Sequence, residues 1–335
     1  MVVTSRLVSR LVLATLVGST LACWPWPLAG GGRSPRMEVQ LNERGQVEVR
    51  ENGAPVLCYN YGTVEPGEIL KQVAEPNLKY ARPRSDYIHP LYGPAGEVLT
   101  ADFPVDHPHH RGIYWGWPET MYKAEMGDLH ALQRVFARPN GKLRVKGGQR
   151  SARIDAENLW RWEDRETVAT ERVSLTVFPM TPRGRFVDLT ITVDASVEGL
   201  SIARRGTNLY GGLNMRMNKV RDQRITFHTD DARRVPRMAW GEMHGVFEGG
   251  STPVSVVVFQ HPANPHYPGD WVQYPELNWF QPTFPAPNTR CELKRGKPLI
   301  LRYGLWIRSG GPVEEKEARA MWEKFVARNR AATRR

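Results

Sequence analysis

Apolar and polar residues alternate along several short segments of the chain, and turn-forming residues separate these segments. Residues 37–41 and 46–50 alternate on either side of Asn-Glu-Arg-Gly, a pattern that predicts a β-hairpin. Other segments are rich in Val, Ile, Leu, Thr or aromatic residues and end at Pro, Gly, Asn or Asp, as strands do. These further predicted strands are 55–61, 167–178, 185–195, 224–228, 254–260 and 299–308.

One helix is predicted, and it lies near the end of the chain, at 312–328. Its first turn carries Pro312 and acidic residues and its later turns carry basic residues, which suits the dipole of a helix. The residues of its predicted apolar face are Val313, Ala318, Met321, Trp322 and Phe325. Since no helical pattern lies between the strands, we expect a single all-β domain over 37–328, built as a large antiparallel β-sandwich.

The N-terminal segment has the pattern of an exported protein. Arg6 and Arg10 precede a short apolar stretch at 11–21, which predicts a signal peptide over 1–22. The residues that follow are rich in Pro and Gly and predict a linker over 23–36. Cys23 after Ser-Thr-Leu-Ala also resembles a lipidation site, so free secretion, a lipid anchor at Cys23 and an uncleaved anchor stay open. In each case we expect a periplasmic or extracellular protein.

The formal net charge of +11 does not predict a nucleic-acid partner. Three positive charges lie in the N-terminal segment, and four lie at 328–335, most of them in a predicted basic tail over 329–335. The body of the chain, 36–327, therefore carries a net charge of only +4. No basic stripe interleaved with aromatic residues lies in this body. The longest later apolar run, 254–259, is too short to span a membrane, so we expect no membrane span beyond the leader.

The composition adds two points. Apolar residues make up 41% of the chain, including 11 Trp, 11 Tyr and 10 Phe, and this surface is enough to build a core, which excludes general disorder. Cys58 and Cys291 remain once Cys23 is set aside. Their spacing fits either one disulfide or two free thiols.

The densest group of chemically active residues lies at 106–117, in Asp-His-Pro-His-His-Arg-Gly-Ile-Tyr-Trp-Gly-Trp. Imidazole serves near neutral pH as acid, base or metal ligand. In an extended segment His107 and His109 would face one side and His110 the other, so a turn at the proline or the glycine is needed to bring them together. Three interpretations stay open: contact or proton transfer with a polar ligand, a metal site from His107 and His109 with Asp106, and histidines that only order a loop.

Three shorter segments add polar side chains where binding residues often lie. A proline-rich loop after the strand at 254–260 carries His261 and Asn264. A second segment carries Arg216 after a glycine pair. A third carries Glu242 and His244, a carboxylate and an imidazole that face the same way if the segment is a strand. Four tryptophans near these polar groups, whose ring faces suit the C–H faces of sugars, are Trp115, Trp117, Trp240 and Trp271.

Four segments resemble a family of secreted bacterial proteins that carries the label "methane oxygenase PmoA" or domain of unknown function. They are Asp106-His-Pro-His-His-Arg-Gly-Ile-Tyr-Trp-Gly-Trp, Gly211-Gly-Leu-Asn-Met-Arg, His261-Pro-Ala-Asn-Pro and Leu299-Ile-Leu-Arg-Tyr. A membrane methane oxygenase needs several transmembrane helices, and no such segment follows the leader, so the label does not indicate a reaction. The family is similar in architecture to the galactose-mutarotase-like supersandwich, and this resemblance implies a carbohydrate or polyol ligand in the concave sheet.

We therefore expect an exported supersandwich that binds a carbohydrate and acts on it by acid–base chemistry, as an epimerase, lyase or hydrolase. His107, His109 and His110 are the expected proton-transfer groups. The expected ligand-binding residues are Arg111, Trp115, Trp117, Arg216, Glu242, His244, His261, Asn264 and Trp271. This hypothesis requires no cofactor, and it requires that the segments near 110, 216 and 262 line one pocket. Two alternatives are a metalloprotein that uses His107 and His109, and a non-catalytic cell-surface structural or binding module.

Overall fold

The computed structural model of the protein describes residues 36–228 and 238–332, with side chains in the last helix described up to Arg328. The predicted signal peptide, the lipid-anchor alternative at Cys23 and the linker up to residue 35 lie outside the described residues. The last three residues of the predicted basic tail also lie outside them. The described residues belong to one compact unit.

Short antiparallel strands make up most of the described chain. In chain order they are β1 (Met37–Leu41), β2 (Gln46–Glu51), β3 (Ala54–Asn60), β4 (Tyr87–Leu91), β5 (Ile113–Gly116), β6 (Glu119–Tyr122), β7 (Glu125–Gly127), β8 (Val135–Lys146), β9 (Ala152–Trp162), β10 (Glu166–Val177), β11 (Arg185–Ala195), β12 (Ser201–Ala203), β13 (Gly212–Arg216), β14 (Val220–His228), β15 (Trp240–Phe247), β16 (Val254–Gln260), β17 (Trp271–Tyr274), β18 (Trp279–Pro282), β19 (Cys291–Glu292) and β20 (Leu299–Ser309). Helix α1 (Glu315–Ala332) follows, and four 3₁₀ segments lie at Gly67–Lys71, Glu75–Tyr80, Arg205–Thr207 and Pro275–Leu277. No helix in the described part of the chain is long and apolar enough to cross a membrane.

Two eight-stranded antiparallel sheets form the sandwich. The first has the order β1-β2-β3-β4-β5-β13-β18-β17, and the second has the order β14-β15-β16-β20-β11-β10-β9-β8. A third, four-stranded sheet has the order β19-β12-β6-β7. The fold is thus an all-β sandwich with one C-terminal helix, and the predicted fold class is confirmed.

Each predicted strand has a counterpart, and the helix is shifted. The hairpin at 37–50 is β1 and β2, joined in the register Val39 opposite Val49. Helix α1 begins three residues after the predicted Pro312 and continues to Ala332, so four residues of the predicted tail are helical. Cys58 and Cys291 are both free, which decides between the two cysteine alternatives.

Alternating side chains of the second sheet face the core. In β9 every second residue from Ala152 to Trp162 is buried, and the same alternation continues along β11 from Val187 to Ala195. Because successive side chains of a strand face opposite sides, this pattern requires one apolar layer against the sheet. The first sheet supplies that layer, with Val47 among the residues of the shared core.

Helix α1 covers the outer face of the second sheet over its central strands. The residues of this outer core include Val313, Ala318 and Phe325 from the helical region and Trp240, Phe259 and Trp306 from the sheet. Strands β15 and β16 are therefore buried on both faces. This double burial explains why the segment 254–260 is almost continuously apolar and does not alternate.

A buried carboxyl group links the two sheets through the core. Glu171 of β10 accepts hydrogen bonds from Nε1 of Trp115 in the first sheet and Nε1 of Trp160 in the second, each at 2.7 Å. Burial, with the adjacent Asp86, raises the pKa of Glu171 well above its usual range, and burial raises the pKa of Asp86 as well. Since two adjacent buried carboxylates do not both ionise, the pair retains a proton.

Replacement of Glu171 should destabilise the sandwich according to the hydrogen bonds that are lost. Glu171→Gln leaves one indole N–H without an acceptor and should lower the free energy of unfolding by about 1–3 kcal/mol. Glu171→Leu removes both acceptors and the partner of Asp86, and should lower it by about 3–5 kcal/mol. Urea unfolding at pH 7 measures both effects. Glu166→Gln, at the exposed start of the same strand, is the matched control, and equal stability of all three variants would contradict this role.

Candidate functional site

The histidine-rich segment forms consecutive turns, and these turns bring its three imidazoles together. The amide of His107 donates to the carbonyl of Pro104 (3.1 Å), and the amide of His110 donates to the carbonyl of His107 (2.9 Å). Pro108 occupies the second position of the latter turn, where its fixed φ is favourable. The ring centroids of His107 and His110 lie 4.9 Å apart, and those of His109 and His110 lie 4.5 Å apart.

A fourth histidine, His130, joins this group from the turn between β7 and β8. Its ring centroid lies 5.2 Å from that of His109 and 5.6 Å from that of His110. Nη1 of Arg84 donates to the carbonyl of His130 at 2.7 Å and fixes the backbone there. Sequence reasoning missed His130, because a single histidine in Leu-His-Ala carries no spacing signal.

Three of the four imidazoles have the arrangement of metal ligands. One ring nitrogen from each of His109, His110 and His130 lies within 4.8 Å of the other two, and we refer to these residues as the buried triad. The hydroxyl of Tyr114 lies 2.9 Å from Nε2 of His130. Nη1 of Arg216 lies 3.4 Å from Nδ1 of His110. The alternative that names His107 and His109 therefore shares only His109 with the group that the structure assembles.

Burial keeps the triad uncharged. His110 and His130 are 2% and 1% exposed, and His109 is half-buried with its Nδ1 enclosed. Burial, together with nearby imidazoles and guanidinium groups, lowers the pKa of His109 to about 3 and the pKa of His110 and His130 well below the usual range. Each ring is therefore neutral and keeps a lone pair at neutral pH, and it is a weaker base than an exposed imidazole.

His109 and His110 line an open pocket of about 280 Å³, which we call the histidine pocket. Aromatic and apolar side chains form one wall of it, and polar groups form the remainder. The wall contains Tyr80, Tyr210, Tyr274, Leu277 and Trp279, and the polar lining includes Asn77, Asp106, His107 and Arg205. The combination of ring faces and hydrogen-bonding groups in one concave site is typical of small-ligand sites.

His107 differs from the buried triad because it is exposed to the pocket and has a carboxylate partner. Its side chain is 39% exposed, and its Nδ1 lies 3.0 Å from Oδ2 of Asp106. Nη2 of Arg216 donates to both oxygens of Asp106 at 3.1 Å. Burial alone would raise the pKa of Asp106, but the hydrogen bonds from His107 and Arg216 outweigh it and hold that pKa below its usual value.

The aromatic wall is a packed unit. The rings of Tyr274 and Trp279 are stacked, with centroids 5.0 Å apart and planes at 14°. Tyr210 meets Trp279 edge to face at 5.4 Å, and Trp279 lies 5.0 Å from the ring of His110. Trp279 begins β18, Tyr274 ends β17 and Tyr210 lies just before β13, and sequence reasoning selected none of these positions.

Arg111, Trp115 and Trp117 have structural partners and do not line the histidine pocket. The Arg111 side chain has no exposed surface and forms an ion pair with Asp102. Nε1 of Trp115 donates to Glu171, and Nε1 of Trp117 donates to the carbonyl of Phe284 at 2.9 Å. These three side chains are buried in the core. A short sequence motif does not show which of its side chains will be buried.

Glu242 and His244 form a separate polar group under helix α1. They face the same way, as their spacing predicts, since both contact the hydroxyl of Ser255: it donates to Oε1 of Glu242 at 2.6 Å and lies 3.0 Å from Nδ1 of His244. The amide of Val313 also donates to Oε1 of Glu242 at 2.9 Å. Neither residue lines the histidine pocket.

The proline-rich loop after β16 also lies away from the histidine pocket. His261 accepts a hydrogen bond from the amide of Ala263 at 3.0 Å, and Asn264 exchanges two hydrogen bonds of 2.8 Å with the backbone of Arg302. Nε1 of Trp271 donates to the carbonyl of Met238 at 2.9 Å. The structure thus brings the segments near 110 and 216 together, and it uses the segment near 262 to hold its own loop.

The buried imidazoles predict a loss of stability in acid. A histidine whose folded-state pKa is depressed stabilises the fold above its unfolded-state pKa of about 6.5, and this contribution is lost as the pH falls below it. For metal-free protein in EDTA, a change from pH 7.5 to 5.5 should lower the free energy of unfolding by about 1.4 kcal/mol for each member of the buried triad. Urea unfolding at the two pH values measures the total change, to which His89, His244 and Asp128 also contribute because burial shifts the pKa of each.

Single replacements separate these contributions. His109→Gln should reduce the pH-dependent loss by about 1.4 kcal/mol, because one buried titrating group is removed. Asn77→Ala, which lines the same pocket and removes no titrating group, is the matched control and should leave the loss unchanged. The same pH dependence in the wild type and in His109→Gln would show that the imidazole of His109 is not held neutral by the fold.

The matches to known proteins concern the whole sandwich. Residues 46–323 match the model of a family of unknown function, DUF6807. A comparison with the curated proteins gives no match. Since the matched region contains the histidine turns, His130, the aromatic wall and nearly all strands of both large sheets, the chain belongs to the DUF6807 family.

Proposed function

We propose that the protein is exported and binds a carbohydrate or related polyol in the histidine pocket, with acid–base chemistry at His107. The observation that carries this proposal is the pairing of a stacked aromatic wall with a polar lining in one pocket. The leader pattern supports export. The all-β sandwich is consistent with a galactose-mutarotase-like supersandwich, the architecture that the motif resemblance implies, although fold alone does not determine a ligand.

The aromatic wall supports a sugar ligand. Sugar rings present C–H faces that pack on aromatic rings, and their hydroxyl groups then point to the side. Tyr274 and Tyr210 are half-buried at the pocket, and Trp279 is buried between them and His110. A sugar ring placed on this wall would share the pocket with His107 and Asp106, which also line it.

The polar lining supports recognition of hydroxyl groups. Asn77 and Arg205 offer donors, and Asp106 offers acceptor oxygens. Arg205 is held by Asp128, whose Oδ2 lies 3.2 Å from Nη2 of Arg205. Burial raises the pKa of Asp128 to about 6, although the hydrogen bond from the Ala131 amide and the charge of Arg205 act against it. A pocket of about 280 Å³ lies at the lower end of small-ligand sites, about 300–1,000 Å³, and so suits one sugar unit.

The catalytic part of the proposal assigns proton transfer to His107. Its exposed ring and its hydrogen bond to Asp106 form a carboxylate–imidazole pair, in which the carboxylate orients the ring. Asp106 is itself fixed by Arg216. The buried triad remains neutral and contributes shape and lone pairs. Abstraction of a proton from a carbon or hydroxyl of the ligand is the reaction type that this pair supports.

Ligand binding is tested with a panel of neutral sugars, sugar alcohols and uronic acids in EDTA. We expect at least one of them to raise the melting temperature, and we expect Tyr274→Ala to weaken its affinity by about tenfold or more, because a stacking surface is lost. Isothermal titration calorimetry measures the affinities. Tyr92→Ala, a half-buried tyrosine outside the pocket, is the matched control. No response to any sugar, or equal affinities of wild type and Tyr274→Ala, would contradict the proposal.

Turnover is tested separately with the sugar that binds. We expect NMR of a prolonged incubation to show a changed product with the wild type and none with His107→Gln, because the variant lacks the proton-transfer group. Affinity should change by less than about tenfold, since the wall is intact. Binding without turnover in the wild type would leave a binding protein and exclude the catalytic part.

A further inference from the structure

We infer that the buried triad binds one divalent transition-metal ion, with His109, His110 and His130 as its protein ligands. Their candidate nitrogen atoms already lie within 4.8 Å of one another. Zinc–imidazole bonds of about 2.0–2.1 Å place the nitrogens of a tetrahedral site about 3.3 Å apart. Small side-chain rotations therefore bring the three rings onto one ion. This inference concerns the protein alone and does not depend on the carbohydrate proposal.

Unpaired nitrogen atoms in the triad favour a bound ion over a purely structural cluster. Nδ1 of His109 and Nδ1 of His130 are enclosed by protein and have no hydrogen-bond partner among the described residues. An unpaired buried polar atom costs about 1–3 kcal/mol, and a coordinated cation removes that cost. The hydroxyl of Tyr114 can accept the proton of Nε2 of His130, which leaves the lone pair on Nδ1 for an ion.

The surroundings of the triad determine which kind of ion fits. Imidazole nitrogen suits Zn²⁺, Co²⁺, Ni²⁺ and Cu²⁺, whereas Mg²⁺ and Ca²⁺ prefer several oxygen ligands, which the triad lacks. The nearby cations are largely compensated: Arg205 and Arg216 are each paired with an aspartate. Arg84 stacks on the ring of Tyr114 at 4.4 Å and donates to backbone carbonyls.

One contact must lengthen when the ion binds. Nη1 of Arg216 lies 3.4 Å from Nδ1 of His110. If His110 binds the ion through Nδ1, that nitrogen no longer accepts from Arg216. If His110 binds through Nε2, its Nδ1 carries a proton, and two donors then face each other, so the contact is lost as well. The contact is long for a hydrogen bond, and Arg216 keeps both bonds to Asp106 without it. The rearrangement is therefore small.

The position of the triad leaves the ion accessible. His109 and His110 line the histidine pocket, whereas His130 lies behind them. Three protein ligands leave a coordination position for water or a ligand oxygen, as in catalytic zinc sites, and here that position faces the pocket. An oxygen-rich ligand in the pocket could then contact the ion directly.

Equilibrium metal binding tests the inference. The untagged full-length chain is stripped with EDTA, dialysed, and titrated with Zn²⁺ at pH 7.5 against a chromophoric chelator. We expect one equivalent to bind and Mg²⁺ not to compete. His109→Ala and His130→Ala should each lower the affinity by about 100-fold or more. His107→Ala, in the same turns but outside the triad, is the matched control and should lower the affinity far less than either triad variant does.

Two further measurements keep the test decisive if a triad variant fails to fold. Circular dichroism and thermal melting identify such a variant. Tyr114→Phe keeps the ring under Arg84 and removes only the hydroxyl beside His130, so it should fold and weaken Zn²⁺ binding by about 10–100-fold. The visible absorption of bound Co²⁺ reports the coordination geometry and should disappear in His109→Ala.

Three results would overturn the inference. They are no stoichiometric Zn²⁺ binding, equal affinities of the wild type and both triad variants, and an equal loss in His107→Ala and His109→Ala, which would place the ion at the Asp106–His107 pair. Since metal titrations contain no sugar and sugar titrations contain EDTA, failure of this inference is distinguishable from failure of the carbohydrate proposal.

Discussion

The histidine turns depend on a buried ion pair at their base. The guanidinium group of Arg111, which has no exposed surface, pairs with Asp102 and lies over the ring of Phe103 at 3.3 Å. It also donates to the hydroxyl of Tyr87 in β4. This pair closes the segment between 102 and 111 and joins it to the first sheet. Because a buried charge without its partner is costly, the turns have few other conformations available, and the imidazoles of His107, His109 and His110 stay close together.

A second chain of charges connects these turns to the centre of the first sheet. Arg216, at the end of β13, holds Asp106, and Asp106 holds His107. The same guanidinium lies beside His110, so one arginine contacts both the exposed and the buried part of the histidine cluster. The first sheet therefore provides rigid support for a site that is itself made of turns, and rigid support is what an oriented imidazole requires.

The sequence predicted the fold class and eight of the 20 strands in the described residues, because strand alternation is a local property, but it missed the long strands β8 and β9. It predicted the site only in part. The histidine-rich segment and Arg216 were recognised, since their composition is unusual. His130 and Trp279 were not, because each is a single residue that the topology brings to the histidine cluster from a distant strand or turn. Arg111 and His261 stand in motif-like segments, but their partners, Asp102 and the Ala263 amide, become evident only in three dimensions.

The difference in burial between His107 and the triad decides which chemistry each supports. A proton-transfer group must reach a ligand and have a partner that orients it, and the exposed ring of His107, which is hydrogen-bonded to Asp106, meets both conditions. A neutral imidazole that resists protonation keeps its lone pair, which is the property a metal ligand needs. The acid–base role expected for His109 and His110 from the sequence therefore belongs, in our proposal, to His107 alone. The proposed ion would add a positive charge beside the same pocket, so a ligand oxygen would lie between a Lewis acid and a base.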